Sequence, residues 1–466
     1  MPASLSRQLA KWVVGLTYKD LPPYVVDKVK GLTVQAVGSM LLGYQSPEVK
    51  NSIHLFKEEE GAGHGGSTIL VDGAKVTKAA AAYLNSQLVF AGAKLDSYQM
   101  LTHPGSAIIP AGLVAAEAMG ASGKDLITGL AAGYEVLERM AKDFIPSVMA
   151  RGFHSGPVFS IFGAVVSAGK IMKLDEDQMN SAIALSVSLA AGNLEGPRSG
   201  GTMIRETGAT RNAMLVAMLA KEGMKGGETT LEGDAGLYYS FTGNNKGKLP
   251  YVFTGRKTLG LKKITAGLGQ EWELMNTVHR IYSTGGFNLA HVDVTAALCA
   301  ENNIKPQDVE KVEAVVNWME TVYNPAFPNP SEVRVGSTHY FEAYGIVKRG
   351  YSALARPGVD KDPPEVLEMM KKVTVIPSKT QTSFGPKITI YTKNGKKYTK
   401  ESTGREFMWD LKEEIRRIKE ITPGLPIPAK QFDEIVAACR GLDKLPKADK
   451  LIQLTLLKQP APSRSR

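Results

Sequence analysis

Apolar positions recur with a helical period from the N-terminus to about residue 260. In LPPYVVDKVKGLTVQAVGSML a double proline opens the run. Val26, Val29, Leu32, Val37 and Leu41 then follow at three- to five-residue steps along one helix face. Alanine-rich stretches of the same kind continue with KAAAAYLNSQLVFAGA, SAIIPAGLVAAEAMG, LITGLAAGYEVLERMA, GAVVSAGKIM, DQMNSAIALSVSLAAG and ATRNAMLVAMLAKEG. Small residues on so many faces predict helices packed against helices on nearly all sides. Between the second and third helices, GGSTILVDGAKVT predicts a short β-hairpin turning at Asp72-Gly73.

The period changes at about residue 272. Strand-like runs VEAVVNWME, KVTVIPS and KITIYTKNGKKYTKE appear, the last with an Asn394-Gly395 pair expected to form a two-residue hairpin turn. Helical stretches NLAHVDVTAALCAEN and STHYFEAYGIVKRGYSAL are interleaved with them. Helical patterning returns at about 406 with FMWDLKEEIRRIKE, AKQFDEIVAACRGL and KADKLIQLTLL, before a Pro/Ser/Arg tail expected to be disordered. The chain is therefore expected to be mainly α: a helical domain built from residues 1–271 and 406–466, with an α+β domain at 272–405 inserted into it. No solenoid-type repeat is present.

Composition narrows the function classes. A chain of 466 residues, 43% hydrophobic and 22% charged, can bury a sizeable core in two or three domains. Two cysteines, Cys299 and Cys439, are too few for a disulfide framework or a cysteine-built zinc site, and are expected to be reduced and buried. No apolar run reaches the roughly 18 residues of a membrane span, and the N-terminus lacks the apolar stretch of a signal peptide. The expected setting is the cytosol. The net charge of +10 would suit nucleic acid, an anionic membrane or a small anionic substrate. It comes from scattered lysines, the KNGKKYTK hairpin and the terminal SRSR, with no zinc-finger spacing, RNA-binding aromatic signature or basic helix. No P-loop, Gly-x-Ser-x-Gly elbow or His-Glu-x-x-His is present, and no strand leads into a dinucleotide-type glycine turn.

Two of the seven histidines stand out. His103, in LDSYQMLTHPGS, is presented from the Pro104-Gly105 turn, and Asp96 lies seven residues before it. His103 is expected just after a helix that carries Asp96. A carboxylate beside an imidazole raises its basicity and sets its tautomer, as a general base requires. His154, in ARGFHSGPVFSIFGA, precedes a Gly-Pro helix start whose free N–H groups favour an anion. Arg198 and Arg205 lie in EGPRSGGTMIRETG, read as a glycine-rich loop, and His279-Arg280 lie in HRIYSTGG. Guanidinium groups beside glycines suit bidentate capture of a carboxylate. His64, among glycines in GAGHGGST, is a candidate lid residue, whereas His54 and His339 fall on ordinary helical stretches.

Nearly the whole chain resembles the MmgE/PrpD family. The resemblance is carried by GGSTIL, AAAAYLNS, LDSYQMLTHPGSAIIPAGLVAAE, GFHSGPVFSIFGA, GGTMIRETGATRNAMLVAMLAKEG, HRIYSTGG and FPNPSEVRVGSTHYFEAYGIV; HPGS followed by GFH is the most specific part. It implies an all-helical domain carrying a smaller α+β lid, a homodimer, and work on small di- or tricarboxylates without metal or organic cofactor. Within the family, 2-methylcitrate is dehydrated, cis-aconitate decarboxylated and iminodisuccinate epimerised. Asp96, His103 and His154 match the family's acidic residue and two histidines. Arg280 falls where many members have lysine, two residues before Tyr282. Arg205 is near another usual lysine, in a stretch that here lacks the accompanying histidine. Tyr323 is near an active-site tyrosine. The usual Asp-Asp pair reads Asp96-Ser97, and a common histidine is Leu289, with His291 two positions on. The expected function is a lyase that removes a proton α to a carboxylate, with His103, oriented by Asp96, and His154 as catalytic residues and Arg205, Arg280, Tyr282 and Tyr323 binding substrate. Epimerisation and decarboxylation are the alternatives, and a non-enzymatic carboxylate binder is the least favoured.

Overall fold

A computed structural model describes residues 3–60, 66–195, 200–246, 248–255, 260–322, 324–327 and 329–457. The fold is mainly α, with seventeen α-helices and two small sheets among the described residues. The predicted helices form as Pro23–Gly43, Lys78–Gly92, Gly105–Met119, Gly123–Ala141, Ser155–Ile171, Glu176–Ser186 and Gly200–Lys221, packed in a continuous apolar core. Their small residues allow this density. A Cβ on Gly133 would lie 2.6 Å from the carbonyl oxygen of Gly163 on the neighbouring helix. Sequence-readable caps start several of them: Pro23 occupies the first turn of its helix, and Ser122 and Asp125 form a reciprocal capping box. The C-terminal helices Leu411–Ile418 and Ala429–Arg440 pack back onto Pro23–Gly43.

The predicted early hairpin pairs Ser67–Thr68 with Lys75–Val76 and turns through Gly73 at a φ of 90°. The strand-rich stretch yields a four-stranded sheet in the order Val373–Ser378, Val309–Asn317, Lys387–Thr392, Lys397–Glu401. The first pair is parallel and the other two are antiparallel. Val312, Ala314, Val316, Ile388 and Ile390 point into the core, and helices Asn288–Glu301 and Thr338–Lys348 pack against the sheet. One local expectation is corrected. Gly395 has a positive φ of 79° but Asn394 does not, and Thr392 N–H bonds to the Lys396 carbonyl. The turn is the longer form closed by a glycine bulge, since the two-residue type needs positive φ at both central residues. Both cysteines are free and buried. The terminal SRSR lies outside the described residues.

A buried ion cluster ties this sheet-bearing part together. His291, fully buried, places Nδ1 2.6 Å from Glu342 and Nε2 2.8 Å from Glu320. Burial pulls the ring's pKa down, but the two carboxylate partners outweigh it and raise it to about 9. An unfolded histidine titrates near 6.5. The stabilisation is therefore complete below about pH 6.5 and is lost as pH rises through about 9. Thermal unfolding between pH 7 and 10 should show the melting temperature falling, and His291→Gln should flatten that decline. An equally steep decline in the variant would remove His291 as its source.

Candidate active site

The Asp96–His103 segment is held by its neighbours rather than by a helix. Helix Lys78–Gly92 ends where a Cβ on Gly92 would lie 1.8 Å from the Ser39 carbonyl oxygen, so only glycine fits. The chain then runs extended. Ser97 and Val278 exchange backbone hydrogen bonds at 2.8 Å, and Tyr98 and Thr102 close a tight turn through Gln99 and Met100 at φ 46° and 71°. Two adjacent non-glycine residues at positive φ are strained, a condition common at functional sites. The expectation that a helix carries Asp96 is corrected: the bridge to Val278 competes successfully with helix continuation.

The connection between Asp96 and His103 also differs from the expected one. The Asp96 carboxylate caps helix Gly105–Met119, accepting from Gly105 N–H at 3.1 and 2.9 Å, and accepts the Tyr134 hydroxyl at 2.7 Å. Burial raises its pKa to about 6 despite these donors. A Cβ on Gly105 would sit 2.4 Å from that tyrosine oxygen, so this glycine is a close-approach residue as well as a turn signal. It is the backbone carbonyl of Asp96 that meets His103 Nδ1, at 2.7 Å. A carbonyl only accepts, so Nδ1 carries the proton and Nε2 the lone pair. Among the described residues nothing hydrogen-bonds Nε2. Burial, then the nearby Arg280 charge, hold the His103 pKa well below its usual range. The ring is a neutral base at pH 7 with its free nitrogen defined.

His154 is brought to the same place. Thr102 and Ser155 hydroxyls lie 3.3 Å apart, and Ser155 donates to the Leu101 carbonyl, joining the two histidine-bearing segments. His154 caps helix Ser155–Ile171 with Nδ1 3.1 Å from Gly156 N and 3.0 Å from Glu206 Oε1, an ion pair whenever the ring is protonated. Arg205 and Glu206 stand on helix Gly200–Lys221, not in a loop as expected. Helical spacing lets Glu206 reach the N-terminus beside His154. Arg205 donates Nη1 to the Asn193 carbonyl at 2.9 Å, and its buried Nε has no hydrogen-bond partner among the described residues. The charges of His154 and Arg205 both reach His103.

Arg280 completes the group from 177 positions beyond His103 in the chain. It is 5% exposed, forms no ion pair among the described residues, and its Nε lacks a partner. Burial lowers its pKa to about 10, while Asp96 opposes that shift. Gln35 holds its backbone, donating Nε2 to the Arg280 carbonyl at 2.7 Å while Oε1 meets His279 Nδ1 at 3.0 Å. His279 is thereby a buried structural neighbour, stacked on Trp409 at an interplanar angle of 4°. Tyr282 is not brought to the cluster: its hydroxyl donates to Asp293 at 3.1 Å, and Asp293 pairs with Arg417. Tyr323, Arg198 and His64 lie outside the described residues.

Four polar residues in or around this group were not singled out in the sequence: Tyr134, Glu206, Gln35 and Lys94, the last buried within reach of the Arg280 charge. Tyr134 carried a signal, a lone tyrosine in the small-residue run GLAAGYEVLERMA. Glu206 adjoins Arg205. Lys94 and Gln35 look like ordinary helix-end and helix-surface residues.

Comparison with known proteins supplies independent information. The profile of the MmgE/PrpD N-terminal domain matches residues 7–249. The chain is 24% identical to a cis-aconitate decarboxylase-like protein, oryM, of Aspergillus oryzae, across 61% of this chain and 59% of that protein. It is 25% identical to cis-aconitate decarboxylase of Aspergillus terreus, across 63% of this chain and 59% of the relative. The matches thus span less than two thirds of each fungal protein. Human cis-aconitate decarboxylase is 21% identical across 99% of this chain and 96% of its own length. No helix among the described residues is long and apolar enough to cross a membrane.

Proposed function

The chain belongs to the MmgE/PrpD family, and we propose that it is a lyase acting on a small di- or tricarboxylate by abstracting a proton α to a carboxylate. The observation that carries this reading is the neutral His103, its Nε2 lone pair defined by the Asp96 carbonyl, within reach of the charge of the buried Arg280, which has no ion pair among the described residues. In a dehydration, His103 Nε2 takes the α-proton and the electron pair enters the carboxylate as an enediolate. Arg280 and Arg205 hold that developing charge. The pair then returns to form the carbon–carbon double bond while His154, with Glu206 as counter-charge, protonates the departing hydroxyl. Tyr323 is retained as a substrate-binding candidate. Tyr282 would act at most by holding Asp293 and Arg417. We also assign residues 272–405 as a lid over a helical domain of 1–271 and 406–466, and a homodimer, both after the family pattern.

Decarboxylation is the second reading, favoured by the names of the similar fungal and human proteins; there the electron pair released with carbon dioxide takes its proton from a protonated His154, since His103 is neutral with its proton held by the Asp96 carbonyl. Epimerisation needs the same two groups on opposite faces of the carbon. Proton NMR in deuterated water with 2-methylcitrate, cis-aconitate and iminodisuccinate separates the three. Loss of water or of carbon dioxide identifies a lyase, and deuterium entry without net product identifies an epimerase. No exchange with any of these acids would overturn the proposal and favour a carboxylate binder.

The proposed chemistry uses no metal. His103 Nδ1 is engaged by a carbonyl, and no group of three His, Cys, Asp or Glu residues is placed to hold a metal ion among the described residues. Turnover should survive exhaustive chelation. Loss with EDTA, reversed by one added divalent ion, would refute this.

A further inference from the structure

Lys94 is 2% exposed, and its ammonium has one hydrogen-bond partner, the Ser283 hydroxyl at 2.6 Å. No carboxylate pairs with it among the described residues. A second buried cation, Arg280, whose carbonyl is held by the Gln35 that also flanks Lys94, is within reach of it electrostatically, and the two charges repel. Asp96, on the same segment, directs its carboxylate to Gly105 and Tyr134 instead. Among the described residues Lys94 therefore retains two ammonium N–H groups, and Arg280 its Nε–H, without acceptors. Two buried cations this close, with no carboxylate paired directly to either among the described residues and Asp96 acting on Arg280 only through space, are costly to the free protein, and an anion binding between them would relieve that cost. Lys94 is also fixed in place: its backbone N–H bonds to Ser39 Oγ at 2.9 Å, and Ser39 bonds in turn to the Val89 carbonyl. Its surroundings are Asp96 and Gln35 on one side and, on the other, a surface cleft of about 580 Å³ whose wall carries Gln45, Glu48 and Arg356.

We propose that Lys94 is a specificity-determining residue that binds a further carboxylate of the substrate beside the one held by Arg280, selecting tricarboxylates over dicarboxylates. The inference rests on the polycarboxylate reading above and deepens it. Burial, and then Arg280, lower the Lys94 pKa to about 7. A carboxylate beside the ammonium restores the charged form, so binding above pH 7 takes up a proton at Lys94.

Two unreactive acids test this by calorimetry at pH 8 in buffers of different ionisation enthalpy: propane-1,2,3-tricarboxylate and glutarate. The wild type is expected to prefer the tricarboxylate by at least about tenfold, the effect of one charge-assisted hydrogen bond, and to take up a proton on binding it. Lys94→Met should lose both the preference and that proton, while still binding glutarate. Lys94→Arg should keep the preference without the proton, which a merely structural lysine would not do. An unchanged preference and proton uptake in folded Lys94→Met would overturn the assignment alone. Failure of the wild type to bind either acid would overturn the polycarboxylate reading and this inference with it.

Discussion

Replacing His103 with glutamine is expected to lower turnover by roughly 10²–10⁴-fold, the usual contribution of a positioned general base, with the fold intact. Glutamine fills a volume close to that of the ring, in a segment that the Ser97–Val278 backbone bridge holds. What it cannot supply is a basic nitrogen at the position of Nε2. Because burial and Arg280 hold the imidazole pKa well below 6.5, the wild-type ring is already deprotonated across the neutral range. Activity should therefore hold through the neutral range and fall only on acidification well below the ordinary histidine range, a limb that disappears in the residual activity of His103→Gln. His154→Gln should lose activity within the same range if the ring protonates the leaving group, and less if it only orients a carboxylate. Circular dichroism and turnover with the accepted acid are the measurements. Near-normal turnover by folded His103→Gln would remove this residue from the chemistry, and loss of fold would make it structural.

The site's legibility in the sequence followed the range of the interactions that build it. Local chemistry was readable: Pro104-Gly105 does present His103 from a turn, and the Gly-Pro helix start does follow His154 directly. The Asp72-Gly73 hairpin and the strand-rich segment were readable for the same reason, being set by turn residues and a period of two. The way Asp96 serves His103 was not. Seven residues of separation brings them together under several backbone paths. Only the bridge between Ser97 and Val278 decides that the carbonyl, not the carboxylate, faces the ring. Contacts across long stretches of chain were equally hidden. Gln35 holding Arg280, and Glu206 reaching His154, depend on which helix faces meet, and a small-residue helix leaves its face ambiguous because alanine and glycine surround it. Arg205 was misplaced to a loop because Gly200 and Gly201 suggest a break, whereas the helix begins at those glycines.

Arg280 shows why such a site is costly in the free protein and useful with its ligand. Its guanidinium is buried without an ion pair among the described residues, within reach of the buried Lys94, while its backbone is held by Gln35 and by the Ser97–Val278 bridge two residues before it. Replacing Arg280 with methionine removes a desolvated charge that no carboxylate among the described residues pairs with directly, Asp96 acting on it only through space, while keeping most of the apolar stem. The free protein should then be as stable as the wild type or more so, since exchanging a poorly compensated buried charge for an apolar group is often stabilising. Binding should move the other way. Losing one charge-assisted contact of roughly 1.5–3 kcal/mol raises the Michaelis constant by about one to two decades. Arg280→Lys should fall between, keeping the charge but not the paired donors of the guanidinium. Thermal melts of wild type and variant, each with and without a saturating tricarboxylate, read both effects together: a melting temperature equal or higher without ligand, and a smaller rise on adding it. A marked fall in the ligand-free melting temperature would show that Arg280 serves the fold, and an undiminished ligand-induced rise would place it outside the carboxylate site.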